Sequence, residues 1–324
     1  MKFKAQHLKN IRSANNDSRL AIFVGAGISK NSETKGVNIP TWNELVSDLK
    51  KDLELKDEHD LLKIAQLYYL EFKEHSYFKK LKDYFPDNIR PSSIHKQIFE
   101  LSPQVVITTN WDEILERTVE ENGYIYDIIR CDEDLVKSTL PKKIIKMHGD
   151  FKNHNIVFKE DDYLNYAFNF PLIENYIKSI LSTHTVLFLG YSYNDINLKQ
   201  IMKWLQNHSK VQPPRYLAVF NHNPTQNKYL ENHGVNVFLL NHPKSEMHSN
   251  NDYLENTRHF LNLIKNNENI EMLETDDAII EFCLDKIKAL GELNGILLEQ
   301  IQESLTNCSF LYTPDDKIIL QFHK

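Results

Sequence analysis

Leu20-Ala-Ile-Phe-Val-Gly25-Ala-Gly27-Ile-Ser29 is an apolar run of strand length that stops at two glycines flanking a small alanine. Such a run reads as a buried strand whose backbone turns sharply at its carboxyl end. In an open α/β sheet that edge is where ligands sit, and glycine there lets main-chain N–H groups approach a pyrophosphate. A full dinucleotide fingerprint carries a third glycine, which this stretch lacks, so an ordinary strand-to-loop turn is an equal reading of it alone. The residues downstream make the choice.

The strand-and-turn pattern recurs along the chain. Val105-Val-Ile-Thr108 runs into Thr109-Asn110-Trp111-Asp112, Ile144-Ile-Lys-Met147 into His148-Gly149-Asp150, and Thr185-Val-Leu-Phe-Leu189 into Gly190-Tyr-Ser-Tyr-Asn-Asp195. Tyr216-Leu-Ala-Val-Phe220, followed by Asn221, and Val235–Leu240 close the series, and Tyr124–Ile129 and Ile156–Phe158 also read as strands. Helical periodicity fills the intervals, for instance over Tyr163–Leu181 with a break at Pro171 and over Ile196–Gln206. Strands alternating with helices specify the α/β class, here a doubly wound, parallel, Rossmann-like sheet.

Two departures from plain alternation set the domain organisation. Thr41 with Glu44 forms a capping box for a helix carrying Leu45, Leu49 and Leu53 at spacing four. A second helical stretch, rich in tyrosine and phenylalanine, follows from Asp60 to Tyr84, giving a small helical insert over about 55–90. Beyond His242 the texture turns polar, with helices expected near 252–266, 277–290 and 292–305. The expected organisation is a nucleotide-binding domain over 1–245 and a mainly helical C-terminal appendage over 246–324.

Composition narrows the function classes. A chain of 324 residues with 41% hydrophobic and 26% charged residues can bury a sizeable core. The formal charge of −7 argues against a general nucleic-acid-binding surface. Cys131, Cys283 and Cys308 are odd in number and widely spaced, which favours neither a disulfide framework nor a zinc ribbon. No signal-peptide or membrane-length apolar run is present, so a cytoplasmic location is expected. No Gly-x-x-x-x-Gly-Lys-Ser/Thr loop or His-Glu-x-x-His pair occurs, and no metal site is expected.

In a parallel sheet all strands end on one edge, so Gly25–Ser29, Thr108–Asp112, His148–Asp150 and Gly190–Asp195 converge on one crevice. Each residue taken singly has a plainer use: Asn110, Asp112, Ser192 and Asp195 could cap helices, and His148 could be a core histidine.

Gly25-Ala-Gly-Ile-Ser29, Ile39-Pro-Thr-Trp42, Thr108-Thr-Asn-Trp-Asp112, Lys146-Met-His-Gly149 and Gly190-Tyr-Ser-Tyr-Asn-Asp195 together resemble the NAD-binding catalytic domain of the sirtuin family. The likeness is greatest to the divergent sirtuin-like domains of bacterial anti-phage defence, and it covers residues 15–242. It implies that Gly25, Ala26 and Gly27 cradle the NAD pyrophosphate with Ser29 beside it. Gly190 and Ser192 would approach from the other side, and Asn221 would lie near the adenine ribose. Asn110 and Asp112 would lie at the nicotinamide ribose, and His148 would be the general base. An imidazole titrates near pH 6.5, so it can take a proton from a ribose hydroxyl or a water at cellular pH.

The resemblance has gaps that bear on the acceptor. Deacylase sirtuins carry a zinc module of two cysteine pairs, absent here, and their acyl-lysine channel motif does not follow His148-Gly149. Water is then the expected acceptor, making the chain an NAD hydrolase that depletes NAD in abortive infection. The alternatives are an ADP-ribosyltransferase, a protein deacylase, and a non-catalytic module that senses NAD or ADP-ribose. The resemblance also implies control through a homo-oligomer or a second defence protein, an ATPase or a nucleotide-sensing subunit.

Overall fold

In the computed structural model, which describes residues 5–33, 39–221, 223–240, 250–265, 308–312 and 318–322, the opening apolar run forms β1 (Leu20–Val24), every residue buried. Helix α1 (Ala5–Asn16) precedes it, and α2 (Ala26–Ser29), α3 (Trp42–Asp52), α4 (Leu61–Lys82) and α5 (Ser93–Glu100) follow. Then come β2 (Val105–Thr108), α6 (Ile114–Asn122), β3 (Asp127–Ile129), α7 (Asp132–Lys137) and β4 (Lys143–Lys146). Three helices, α8 (Glu160–Leu164), α9 (Tyr166–Asn169) and α10 (Pro171–Thr183), lead to β5 (Thr185–Leu189). The series closes with α11 (Ile196–His208), β6 (Arg215–Val219), α12 (Pro224–Asn232), β7 (Val235–Leu239) and α13 (Asn250–Lys265).

The seven strands are all parallel, in the order β3-β4-β2-β1-β5-β6-β7. The winding reverses at β1, whose neighbours are β2 on one side and β5 on the other, so the switch point lies between β1 and β5. Register puts the strand ends level: Val24 pairs with both Thr108 and Leu189, and Thr108 pairs with Lys146. The four loops singled out in the sequence therefore leave one edge of the sheet at nearly one height.

One face of the sheet packs Phe23, Ile107, Ile145 and Phe188 against Ile173 and Ile177 of α10 and Ile201 and Met202 of α11. The helical insert has its own core, in which Leu45, Leu49, Ile64, Tyr77 and Leu81 surround Trp111 and Phe158. Trp111 thus ties the insert to the loop after β2. Thr41 caps α3 as the sequence implies: the Glu44 N–H donates to Thr41 Oγ1 at 3.3 Å, and the Glu44 side chain accepts from the Thr41 N–H. Helix α4 kinks at Lys73, which sits at φ 63°, a break that periodicity did not mark.

Two strand expectations change. Tyr124–Ile129 shortens to Asp127–Ile129, because the Tyr124 N–H donates back to Val119 O as part of the left-handed cap at Gly123. Ile156–Phe158 is irregular backbone whose link to the strand ends is a single bond from Val157 N–H to His148 O.

By its contacts the chain divides into Met1–Asn266 and Asn267–Lys324, and α13 belongs to the first unit, packed on α1 and α5. In the second, β8 (Cys308–Tyr312) and β9 (Ile318–Phe322) pair antiparallel, a hairpin the sequence reading did not foresee. The helices expected over 277–290 and 292–305 lie outside the described residues.

Helix α5 carries a built-in acid sensitivity. His95 is 1% exposed, and its Nδ1 accepts from the Ser92 N–H at 3.0 Å, which requires the neutral ring. Burial lowers its pKa to about 4, opposed by the Asp112 carboxylate. The unfolded chain takes up this proton near pH 6.5, before the folded one does, so the stabilisation is complete above that pH and is lost as pH falls toward 4. About 3 kcal/mol is expected to go over that interval, and urea melts of the wild type and His95→Gln at pH 7 and 4.5 should differ in this pH-dependent part.

Candidate functional site

The loop after β2 and the helix after β1 are joined by a directed hydrogen-bond chain. Ser29 Oγ donates to Asp112 Oδ2 at 2.8 Å, and Asn110 Nδ2 donates to Ser29 Oγ at 2.8 Å. Directions follow from chemistry: an ionised carboxylate only accepts, so the single hydroxyl hydrogen of Ser29 goes to Asp112. Ser29 must then accept from the amide nitrogen of Asn110. The carbonyl oxygen of Asn110 is left as the face this half-buried side chain can turn to a ligand. Asp112 Oδ1 meanwhile accepts from Ile114 N–H at 3.1 Å and so holds the start of α6. Asp112 stands one residue before the N-cap Glu113, so it ties the first turn of α6 to the cluster rather than capping the helix itself.

Behind this chain lies a charge network that sequence reasoning missed. Lys146, fully buried at the end of β4, donates to the carbonyl oxygen of Asp112 and lies 2.9 Å from Glu116 Oε1. Arg130, just past β3, lies 2.6 Å from Asp150 Oδ2. These pairs pin the loops after β2, β3 and β4 to one another. A signal was available: a lysine ending an apolar strand buried on both faces needs a partner of opposite charge.

His148 is 3% exposed at the end of β4, and its Nε2 lies 3.2 Å from Asp195 Oδ2, at ion-pair distance but without hydrogen-bond alignment. Tyr163 and Tyr166 meet the imidazole edge-on, with ring centroids 5.4 and 6.0 Å away. Burial lowers the pKa of His148, opposed by Asp195 and then Asp162. The ring is therefore neutral and able to accept a proton at pH 7.

The glycines answer first to a neighbouring loop. Gly25 N–H donates to Leu189 O and Gly27 N–H to Gly190 O, each at 2.9 Å. A Cβ on Gly25 would lie 2.4 Å from Gly190 O, and one on Gly27 2.9 Å from the same atom. The loops after β1 and β5 are thus interlocked across the switch point, with Ala26 half-buried at the junction. Ser192, in the second loop, and Asn221, after β6, are exposed on the same edge. The structure brings Ser29, Asn110 and Asp112 into contact, and pairs His148 with Asp195, whereas Asn221 stands two strands away from β1.

Two cavities border this edge. One of about 890 Å³ lies between α4 and the segments around 131–133, 153–157 and 168–171. Another of about 270 Å³ reaches Asp112 and Asp150 and is flanked by Phe85, Trp111 and Phe151. Volume alone does not select the first, since several of its polar walls are occupied structurally: Asp132 caps α10, and Asp162 accepts from Phe158 and Lys159. Among the described residues no group of three or more His, Cys, Asp or Glu side chains gathers to hold a metal, and no helix is long and apolar enough to cross a membrane.

Comparison with known proteins gives the chain a family. Residues 104–238 match the model of the SIR2-like domain, a span that holds Asn110, Asp112, His148, Gly190, Ser192 and Asn221 but leaves out the opening Gly-Ala-Gly turn. Defense-associated sirtuin 2 of Bacillus subtilis is 32% identical over 307 residues, covering 89% of this chain and 30% of that protein. The NAD(+) hydrolase ThsA of Acinetobacter baumannii is 28% identical over 213 residues, covering 63% of this chain and 42% of that protein. ThsA of Bacillus cereus is 29% identical over 196 residues, covering 57% and 40%. The chain spans less than half the length of these curated relatives. With its parallel sheet, its level strand ends and this match, the chain carries a SIR2-like domain.

Proposed function

We propose that this chain hydrolyses NAD to nicotinamide and ADP-ribose, and that the resulting NAD loss serves defence against phage. The observation that carries the reading is that a buried, neutral His148 and an Asn110 whose amide is fixed by Ser29 and Asp112 follow the level ends of two neighbouring strands, β4 and β2. A site that only binds NAD needs neither a base nor an oriented amide. Relatives that bear the names NAD(+) hydrolase and defence-associated sirtuin support the same activity and setting.

The nicotinamide–ribosyl bond breaks through a cationic, oxocarbenium-like centre, and the pyridinium is already a good leaving group. The protein has to hold the ribose, stabilise the developing charge and admit the acceptor. In this reading the Asn110 carbonyl orients a ribose hydroxyl or the attacking water, and His148 takes the proton that is released. Gly25, Ala26, Gly27, Gly190 and Ser192 border the dinucleotide at the switch point, and Asn221 lies toward its adenosine end. Activity is expected to be held in check by self-association or by a partner protein.

Mass balance tests the reading against ADP-ribosyl transfer. NAD labelled in the adenylate is incubated with the protein, and free ADP-ribose equal to nicotinamide is expected. Label carried on protein or nucleic acid would overturn hydrolysis. Within the same assay, Ser29→Ala releases the Asn110 amide from its fixed orientation. Nicotinamide release should fall by about 10–100-fold while the circular dichroism spectrum stays that of the wild type, because small misplacements of an orienting group cost rate and not fold.

A further inference from the structure

Asp195 opens α11, and a helix cap needs only one of its oxygens: Oδ1 accepts from the Leu198 N–H at 2.8 Å. Asn, Ser or Thr would do that as well. The second oxygen, Oδ2, is the atom 3.2 Å from His148 Nε2, and both side chains are more than nine-tenths buried. The two residues come from loops after β4 and β5, which are separated in the sheet by β2 and β1. Three strand spacings amount to about 14 Å, so the loops reach toward each other over the very ends that carry Asn110 and Gly25.

We propose that Asp195 is the carboxylate partner of His148, a positioning residue that holds the imidazole over the crevice and stabilises its protonated form. When a ribose hydroxyl or water gives up its proton, the O–H bond breaks and an N–H bond forms on the ring. The positive charge so created lies against the Asp195 carboxylate. The other groups that face His148 do not fill this role. Asp162, on α8, is engaged by the Phe158 and Lys159 amides and by the Lys159 ammonium. Tyr166, on α9, donates its hydroxyl to Met147 O at 3.0 Å, and Tyr163, on α8, meets the ring edge-on and shares the Asp195 carboxylate.

The catalytic part of this assignment rests on the hydrolase reading, and the pairing itself does not. Asp195→Asn keeps the cap and removes the charge. The test is the His148 titration, followed by NMR on histidine-labelled full-length protein, with the His148 signal identified by its absence in His148→Ala. In Asp195→Asn the His148 pKa is expected to fall by one unit or more. In the same variant kcat for nicotinamide release should drop by about 10–100-fold, with KM little changed and the acid limb of the pH profile moved down. An unchanged His148 pKa in a folded Asp195→Asn protein would overturn the pairing. A lowered pKa with kcat intact would overturn its part in the reaction. A wild type that never releases nicotinamide would sink the hydrolase reading, with the titration still deciding the pair.

Discussion

Replacing His148 by alanine is expected to slow nicotinamide release from NAD by about 10²–10⁴-fold, the range spanned by a positioned general base. The expectation rests on location as much as on residue type. His148 stands at the end of β4, level through its neighbours with the ends of β2, β1 and β5. Burial holds its ring neutral, so the proton-accepting form is the one present at pH 7. Removing the ring takes away the acceptor and leaves Asp195 as a buried carboxylate with one partner fewer. NAD affinity, measured by calorimetry, should change far less than the rate, because a base acts on the transition state and not on the bound ground state. Asn110→Ala belongs in the same series and should lose rate similarly, while Asn110→Asp tests whether the amide nitrogen bond to Ser29 is needed.

Gly190→Ala is expected to damage the fold itself. Gly190 lies at φ +60°, and a Cβ there would lie 2.5 Å from Ile28 N and 2.8 Å from the Ile28 side chain. Left-handed backbone costs a non-glycine residue about 1–2 kcal/mol, and overpacking against fixed backbone about 1–3 kcal/mol more. The sum, about 2–5 kcal/mol, corresponds to a fall in melting temperature of roughly 5–15 °C for a domain of this size. Gly25→Ala meets the opposite side of the same junction, 2.4 Å from Gly190 O, and should show a similar loss. The two glycines exist for one closure, so a double variant should cost less than the sum of the two. Thermal melts of the singles and the double decide this, and additivity would argue that they serve separate ends.

Much of the fold is legible in the sequence. The alternation of apolar runs with helical periodicity gave away the parallel sheet, because period is a local property that burial on both faces leaves in the sequence. Thr41 with Glu44 marks a helix start by its own chemistry. The convergence of strand ends followed from parallelism alone. Contacts between distant segments were not readable, since nothing near Asp195 states that its second oxygen will meet His148. Lys146 ends a buried apolar strand, which tells that it needs a partner, but which residues answer it, Glu116 and the Asp112 carbonyl, depends on the fold. In the sequence the glycines point to a pyrophosphate they could approach, whereas their interlock with Gly190 depends on which strand sits next to β1. The Tyr124 cap and the coil at Ile156–Phe158 show the same limit on a small scale: a short β-prone run has no strand to join if its amides are bonded elsewhere.

In the proposed reading the Asn110–Ser29–Asp112 chain and His148 form one NAD-cleaving site at the end of a parallel sheet. Nicotinamide release by the purified wild type, beside Asn110→Ala and His148→Ala proteins that still bind NAD, tests it most directly, alone and with extract of phage-infected cells. Release by the wild type in at least one of these conditions, and its loss in both variants, is expected. NAD bound and left intact by the wild type throughout, or cleaved equally well by the variants, would contradict it.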